Sequence, residues 1–216
     1  MSTNAYETIL NEKVVAIIRG FSPETIIKLC KAYAANGIHC IELTFDQSSK
    51  EKQIETADTI KAVKDALGDQ VCVGAGTVMT VEQVRMAAEA GAEYMISPNV
   101  DDEVIAETKR LGKVSIPGAM TPSEIAHAYK MGADIIKLFP ANELGLTYIK
   151  AIKAPLKHIP LMATGGVRPQ NAADYLNVGS SALGVGGDLV NKTWIAEGAF
   201  DKIGEAARAY AEAVKV

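Results

Sequence analysis

Short apolar runs alternate with longer amphipathic segments from one end of the chain to the other, and this alternation restricts the fold more than any other feature. Runs of this length, rich in Val, Ile and Leu and bounded by Gly, Pro or Ser, predict β-strands. Eight of them occur, at residues 14–18, 39–44, 71–76, 94–97, 114–117, 135–139, 161–163 and 182–185. The intervening segments place apolar residues three and four positions apart, which predicts helices. These helices span residues 23–36, 50–67, 81–90, 101–111, 123–131 and 170–177, with a weaker one at 149–154.

Eight strand–helix units favour an α/β fold, a closed (β/α)8 or TIM barrel with eight parallel strands. A doubly wound open sheet shows the same alternation. The short units and the lack of G-x-G-x-x-G after the first strand argue against it. An extra N-terminal helix, predicted at residues 3–11, would cross the bottom of the barrel. With 216 residues, the chain is expected to form a single domain, residues 1–216.

Composition narrows the classes of function. The chain is 48% hydrophobic and 22% charged with a net charge of −4, which argues against nucleic acid or an anionic membrane as its partner. Cys30, Cys40 and Cys72 form no C-x-x-C pair, so buried free thiols are expected rather than disulfides. No apolar segment approaches 18 residues and no signal-peptide core is visible. A cytoplasmic location is therefore the default expectation.

Lys137 stands in the middle of an apolar run, Ile-Ile-Lys-Leu-Phe-Pro at residues 135–140. Lysine is seldom fully buried, because its ammonium group is costly to desolvate. Burial favours the free amine, which is the form that a Schiff-base nucleophile requires. The simpler alternative is a strand-end lysine whose stem is buried and whose ammonium group reaches water.

The two-residue alternation of side chains along a strand predicts which groups face the barrel interior. The expected inward sets are Val15, Ile17 and Arg19; Cys40, Glu42 and Thr44; Val73, Ala75 and Thr77; and Ile135, Lys137 and Phe139. Glu42 would then approach Lys137 from another strand, either as a structural ion pair or as a general acid/base beside an amine nucleophile. Arg19 and Thr77 could bind a substrate carboxylate, although a strand-end arginine is more often solvated or ion-paired.

Two glycine pairs follow the last two predicted strands: Gly165 and Gly166 after Thr164, and Gly186 and Gly187 further on. Tight turns are the simplest explanation for them. In many barrels, however, the loops at these two places present backbone N–H groups to a phosphate. The glycine pairs therefore predict a phosphate site.

The three histidines, His39, His127 and His158, are scattered and show no metal-ligand spacing. The predicted chemistry is accordingly independent of metals and of cofactors.

Seven short motifs connect these residues. They are V-V-A-I-I-R at 14–19, I-E-L-T at 41–44, V-G-A-G-T-V at 73–78, I-S-P at 96–98, I-P-G at 116–118, K-L-F-P-A at 137–141 and T-G-G-V at 164–167. In these motifs and their order the chain resembles the 2-keto-3-deoxy-6-phosphogluconate (KDPG) and 4-hydroxy-2-oxoglutarate (KHG) aldolase family, over nearly its whole length.

The resemblance implies a role for each candidate residue. Lys137 would be the Schiff-base lysine, Glu42 the general acid/base, and Arg19 and Thr77 the binders of the pyruvate carboxylate. The distal phosphate would contact Gly165, Gly166, Gly186 and Gly187, and the pocket would be lined by Thr44, Pro98, Pro117, Phe139 and Thr164. The family resemblance also implies a homotrimer acting on a small 2-keto acid.

Two acidic residues depart from the pattern that the resemblance implies. Asp46 occupies a position where many members carry a carboxylate-binding arginine, and Asp188 one where many carry serine. We expect Asp188 to cap its local turn, which leaves the glycine N–H groups free for phosphate. An inward-pointing Asp188 would instead favour an unphosphorylated substrate.

The predicted function is a class I aldolase, a lyase that reversibly cleaves a 2-keto-4-hydroxy acid into pyruvate and an aldehyde. KDPG and KHG are the expected substrates, giving glyceraldehyde 3-phosphate or glyoxylate, in carbohydrate metabolism of the Entner–Doudoroff type. One alternative is a 2-keto-3-deoxy-6-phosphogalactonate aldolase, from a family branch that also lacks the arginine at position 46. Another is a phosphate-binding isomerase or epimerase barrel, which would not need the lysine, and a third is a non-catalytic binding barrel.

Overall fold

The computed structural model of the protein describes residues 4–216, apart from the side chain of Asp188. Its strands are β1 (Val14–Ile18), β2 (Cys40–Thr44), β3 (Cys72–Gly76), β4 (Tyr94–Ile96), β5 (Val114–Ile116), β6 (Gly118–Ala119), β7 (Ile136–Leu138), β8 (Leu161–Thr164) and β9 (Ala182–Val185). Its α-helices are α1 (Ala5–Glu12), α2 (Pro23–Ala34), α3 (Lys50–Leu67), α4 (Val81–Glu89), α5 (Asp102–Arg110), α6 (Pro122–Lys130), α7 (Ala141–Lys153), α8 (Pro169–Asn177), α9 (Lys192–Ala196) and α10 (Phe200–Ala213). Single 3-10 turns occupy Gly68–Gln70 and Gly187–Val190.

The strands are all parallel and follow one another around a barrel in the order β5-β4-β3-β2-β1-β9-β8-β7-β6. The first and last members of this order, β5 and β6, are two halves of one strand interrupted at Pro117. Proline lacks an N–H group and so breaks a strand ladder at that point. Because β5 pairs with β4 and β6 pairs with β7, the interrupted strand closes the ring. The predicted (β/α)8 barrel is confirmed, with the predicted strand at 114–117 extended to Ala119.

The core has an outer and an inner layer. Outward-facing strand residues such as Ile41, Leu43 and Leu138 pack with the helices in the larger cluster. The inner cluster fills the barrel interior with Val15, Cys40, Cys72, Tyr94, Ile96, Val114, Ile116, Ile135, Met162 and Ala182. The three cysteines are buried free thiols, as predicted. Inward positions nearer the carboxyl ends are polar, including Glu42, Lys137 and Thr164.

Helix α1 closes the bottom of the barrel. Its Ala5 and Ile9 belong to the inner cluster, where they pack with the beginnings of the strands. The Asn4 side chain accepts a hydrogen bond from the Tyr6 N–H group at 3.2 Å and caps the helix. The helix predicted at 3–11 is therefore confirmed in place and runs from Ala5 to Glu12; residue 3 lies outside the described residues.

The largest departures from the predicted helices follow β7 and β9. Helix α7 begins at Ala141, well before the predicted segment 149–154, and contains Gly145 in a non-helical conformation with φ of 76° and ψ of 164°. This glycine interrupts the helical pattern of the sequence. Helices α9 and α10 were not predicted individually, although α10 packs against α2 and α8. In residues 4–216, no helix is both long enough and apolar enough to cross a membrane.

Candidate active site

Lys137 and Glu42 face each other from opposite sides of the barrel. Around the closed ring, β7 and β2 are separated by β8, β9 and β1 in one direction and by β6/β5, β4 and β3 in the other. Both residues are buried, with Lys137 8% and Glu42 1% exposed. The predicted convergence of an amine and a carboxylate from distant strands is therefore seen in the structure.

Burial raises the pKa of the Glu42 carboxyl above its ordinary value. The positive charge of Lys137, then that of Arg19, and the Thr44 hydroxyl act in the opposite direction and favour the anion. No ion pair joins Glu42 to Lys137, and Glu42 Oε2 has no hydrogen-bond partner among the residues that the structure describes. The carboxyl group is therefore close enough to interact electrostatically with the amine, but it is free to exchange protons with a third molecule.

The space for these two groups depends on glycine. A Cβ atom on Gly76 would overlap the Glu42 carboxylate, and one on Gly118 would overlap the backbone carbonyl of Pro98. Gly118 is the strand neighbour of Lys137, whose backbone N–H donates to the Pro117 carbonyl at 2.9 Å. Glycine at these two positions thus leaves room for the Glu42 carboxylate and for the Pro98 backbone beside the strand next to Lys137.

The Phe139 ring lies beside the amine. Lys137 Nζ is 5.2 Å from the ring centroid, within the range of a cation–π contact. The ring is 42% exposed. It therefore presents an apolar surface next to the amine.

Arg19 and Thr77, predicted as carboxylate binders, are in direct contact. Arg19 Nη2 donates to Thr77 Oγ1 at 3.1 Å. Gln47 Nε2 donates to the Thr77 carbonyl at 2.8 Å, and Gln83 Nε2 donates to Gln47 Oε1 at 2.8 Å. Gln83 in turn accepts from the Met79 N–H group at 2.7 Å and is 1% exposed. A chain of hydrogen bonds thus runs from the buried Gln83 to the arginine.

The prediction that Val73 and Ala75 face the interior was wrong. Both lie in the outer core, and Gly74 and Gly76 are the inward residues, as the overlap of a Gly74 Cβ with the Tyr94 ring shows. A strict alternation would then point Thr77 outward. Instead, Thr77 adopts φ of 53°, in the left-handed region, which breaks the alternation and leads its hydroxyl to Arg19.

The predicted glycine pairs lie together after β8 and β9. They line a cavity of about 390 Å³, hereafter the glycine cavity, whose wall includes Ile17, Thr164, Gly165, Gly166, Val167, Arg168, Gly184, Gly186, Gly187 and Tyr210. Gly165 and Gly166 have φ of 105° and 69°, and a Cβ on Gly166 would overlap Asn142 at the beginning of α7. Both the backbone conformation and the close approach of another chain segment therefore require glycine here.

The other predicted pocket residues are divided between two larger cavities at the barrel mouth. Arg19, Thr44 and Asp46 line one of about 1000 Å³, and Pro98 and Phe139 line another of about 830 Å³. Lys137, Glu42, Thr77 and Pro117 line neither of these nor the glycine cavity.

Of the two unexpected acidic residues, Asp46 and Asp188, the structure describes the side chain of Asp46 alone. Asp46 Oδ1 accepts a hydrogen bond from the Ser48 N–H group at 2.9 Å. Hydrogen bonding by the Ser48 side chain, and then by its backbone N–H group, lowers the pKa of the Asp46 carboxyl. Asp46 is thus engaged in its own loop. The expected orientation of Asp188 concerns a side chain outside the described part of the structure.

Sequence reasoning missed Gln47 and Gln83. Thr80 and Gln83 form the T-x-x-Q pattern of a helix capping box, in which Thr80 Oγ1 accepts from the Gln83 N–H group at 3.2 Å. That pattern could have placed Gln83 at the beginning of α4. Its second role, contact with Gln47, joins residues 36 positions apart and has no local pattern.

Comparison with known proteins defines the class. The family model described as KDPG and KHG aldolase matches residues 6–206, so the chain belongs to this family of aldolases, which are lyases. The 2-dehydro-3-deoxy-6-phosphogalactonate aldolase of Escherichia coli (strain K12) is 34% identical over 203 residues, 94% of this chain and 96% of that protein. The 2-dehydro-3-deoxy-phosphogluconate aldolase of Treponema pallidum (strain Nichols) is 32% identical over 92% of this chain and 91% of that one.

A solved structure extends the comparison. The KDPG aldolase from Legionella pneumophila, with pyruvate captured at low pH as a covalent carbinolamine intermediate, matches with a TM-score of 0.85 and 26% identity. The match covers 97% of this chain and 99% of that one. Among the described residues of the present chain, no group of three or more His, Cys, Asp or Glu side chains could hold a metal ion.

Proposed function

We propose that the protein is a class I aldolase that cleaves a 2-keto-4-hydroxy acid into pyruvate and an aldehyde, with Lys137 as the nucleophile. The observation that carries this proposal is a buried lysine facing a buried glutamate across the barrel without an ion pair between them. A structural pair would be closed by direct contact, because leaving a buried charge unpaired is costly. The arrangement is suited to a reaction in which both groups must exchange protons.

In the proposed reaction the Lys137 amine adds to the C2 carbonyl, and loss of water gives a protonated imine. The C4 hydroxyl then loses its proton, the C3–C4 bond breaks, and its electron pair moves into the imine to form an enamine while the aldehyde departs. Protonation at C3 and hydrolysis release pyruvate and the free amine. Glu42 supplies and accepts these protons, because its raised pKa brings both of its protonation states nearer neutral pH. The pyruvate carbinolamine in the Legionella relative supports the first step.

The substrate's two ends have separate sites in this proposal. Arg19 and Thr77 bind the carboxylate next to the reacting carbonyl, since the guanidinium and the hydroxyl are already held side by side. The glycine cavity receives the other end, where backbone N–H groups suit a phosphate. Thr44, Pro98, Pro117, Phe139 and Thr164 complete the walls.

The proposed substrates are therefore phosphorylated six-carbon 2-keto-3-deoxy acids, of the gluconate or galactonate series, and the shorter 4-hydroxy-2-oxoglutarate. The relatives named for phosphogalactonate and phosphogluconate substrates support both series. A single-domain homotrimer located in the cytoplasm and acting in an Entner–Doudoroff type of carbohydrate breakdown fits such an enzyme.

Borohydride trapping with pyruvate tests this proposal. Reduction should add one pyruvate-derived group to the protein, and peptide mapping should locate it on Lys137. Lys153 is the matched internal control: burial lowers its pKa, but its Nζ donates to the carbonyls of Lys157 and Ile159 at 3.1 and 2.7 Å. An adduct on Lys153 or any other lysine would refute the assignment. No adduct at all would favour the isomerase, epimerase or binding-barrel alternatives.

A further inference from the structure

One charged side chain stands among the described residues that line the glycine cavity, that of Arg168. It is exposed, and it lies immediately before α8, whose first residue is Pro169. The proposed carboxylate site has its own arginine, Arg19, which lines a different cavity. These two cavities therefore have one arginine each.

Arg168 differs from the other four arginines of the chain. Arg19 donates to Thr77, Arg85 and Arg110 bind Glu107, and Arg208 donates to Asn36. Within the described part of the chain, the Arg168 guanidinium has no ion pair and no hydrogen bond. A strongly charged, five-donor group beside an open cavity is thus available to an anion.

The backbone that carries Arg168 is held firmly. Asn171 Oδ1 accepts from the Arg168 N–H group at 2.7 Å, and Asn171 Nδ2 donates to the Gly166 carbonyl at 3.1 Å. One side chain therefore links the arginine to the glycine turn of the cavity. The loop is preorganised, and the Arg168 side chain is its adjustable part.

A second feature of the cavity also points to a ligand. Thr164 is 4% exposed and lines the cavity, and its Oγ1 has no partner among residues 4–216. It lies so close to β9 that a Cβ on Gly184 would overlap it. A buried hydroxyl without a partner among the described side chains is costly unless a further group, a ligand or water completes its hydrogen bonding.

We propose that Arg168 binds the phosphate monoester of the substrate, with the Thr164 hydroxyl and the backbone N–H groups of the glycine turns as further donors. This inference rests on the proposed function and adds the residue that confers preference for phosphorylated over unphosphorylated acids. A dianion with three terminal oxygens can accept from all of these donors at once. The carboxylate of the same substrate is bound at Arg19, which lines a different cavity.

The test compares kcat/KM for phosphorylated and unphosphorylated 2-keto-3-deoxygluconate in four proteins: wild type, R168Q, R168K and the control R208Q. Loss of a charge-assisted contact should reduce the phosphorylated-to-unphosphorylated preference of R168Q by about 10- to 100-fold, mainly through KM. R168K, which keeps the charge but loses the planar fork, should recover part of it. R208Q, which removes an exposed arginine on α10, should keep the wild-type preference.

Inorganic phosphate provides a readout that does not use the phosphorylated substrate. It should inhibit cleavage of the unphosphorylated acid by the wild type, and R168Q should need about tenfold more phosphate for the same inhibition. An unchanged preference in R168Q, or a wild type with no preference for the phosphorylated acid, would overturn the role of Arg168. Either result leaves pyruvate trapping at Lys137 intact, so failure here is distinguishable from failure of the aldolase proposal.

Discussion

Two buried glutamates of this protein have opposite surroundings. Glu42, inside the barrel, is 1% exposed, and Glu107, on α5 in the helical layer, is 7% exposed. Glu107 accepts from Arg85 Nε at 2.6 Å and from Arg110 Nε at 2.6 Å and Nη2 at 2.8 Å. These guanidinium groups lower the pKa of Glu107 to about 2, whereas burial raises that of Glu42.

This comparison shows how burial and hydrogen-bond partners together distinguish a structural carboxylate from a reactive one. At Glu107 two arginines complete the hydrogen bonding of the anion, which leaves it permanently charged and chemically inert. At Glu42 the nearest cation is Lys137, without direct contact, so that the carboxyl group can take up or release a proton. The following predictions alter one member of the comparison at a time.

The largest effect is expected from giving Glu42 a guanidinium partner. In K137R the barrel interior comes to resemble the Glu107 site, and the guanidinium stays protonated and cannot form an imine. We expect cleavage to fall by more than about 10⁴-fold, as in K137A, with no pyruvate trapping. Steady-state kinetics and mass spectrometry measure this. Substantial activity in K137R would exclude Lys137 as the nucleophile.

Removing each carboxylate in turn should separate their roles. E42Q should lower kcat by about 10²- to 10⁴-fold if Glu42 is the general acid/base. E107Q is the matched control, because it removes a buried carboxylate outside the barrel, and its kcat should equal that of the wild type below its melting temperature. A near-normal kcat for E42Q would return Glu42 to a structural role.

Substitution of Arg19 and of Asp46 tests the roles of these two charged side chains at the proposed carboxylate site. R19A should lower kcat/KM for the pyruvyl acid by one to two decades, since a charge-assisted hydrogen bond contributes about 1.5–3 kcal/mol. D46A should have a mild effect, because Asp46 is bonded to the Ser48 backbone in its own loop. An effect of D46A as large as that of R19A would contradict this assignment.

The smallest effect concerns stability and has opposite signs at the two glutamates. A raised native pKa means that the contribution of Glu42 to stability is full below its unfolded value of 4.5 and is lost as pH rises through the native pKa. The contribution of Glu107 is present above 4.5 and is lost as pH falls towards its native pKa of about 2.

Thermal melts of the two glutamine variants from pH 2 to pH 8 check these signs. E42Q should become more stable than the wild type as pH rises. Its Tm should exceed that of the wild type by about 2–4 °C for each kcal/mol by which ionisation of Glu42 lowers the free energy of unfolding. E107Q should be less stable than the wild type above about pH 4.5, and the difference should disappear as pH falls towards 2. A fall in Tm for E42Q at neutral pH would mean that the ionised carboxylate stabilises the fold.

Much of the fold, and the pair formed by Lys137 and Glu42, could be predicted from local sequence patterns. Apolar runs separated by helical patterns indicate a barrel because each strand must be covered by the helix that follows it. Lys137 and Glu42 were placed correctly because both lie in strands with side chains on each face, where alternation is unambiguous.

Strand β3 shows where local patterns fail. Gly74 and Gly76 have no side chains to mark the inward face, so Val73 and Ala75 were assigned to it instead. The β5/β6 interruption at Pro117 was likewise taken for a strand end, since a proline gives the same local pattern in both cases.

The chain's own pattern of apolar, glycine and charged residues is enough to specify a closed barrel with an amine and a carboxylate inside it, because these follow from periodicity over a few residues. The contact of Thr77 with Arg19, the support of Thr77 by Gln47 and Gln83, and the isolation of Arg168 arise only in three dimensions. They depend on a left-handed residue after β3 and on hydrogen bonds between distant loops. Such interactions are selected by the packing of the whole barrel, and no short stretch of sequence contains both partners.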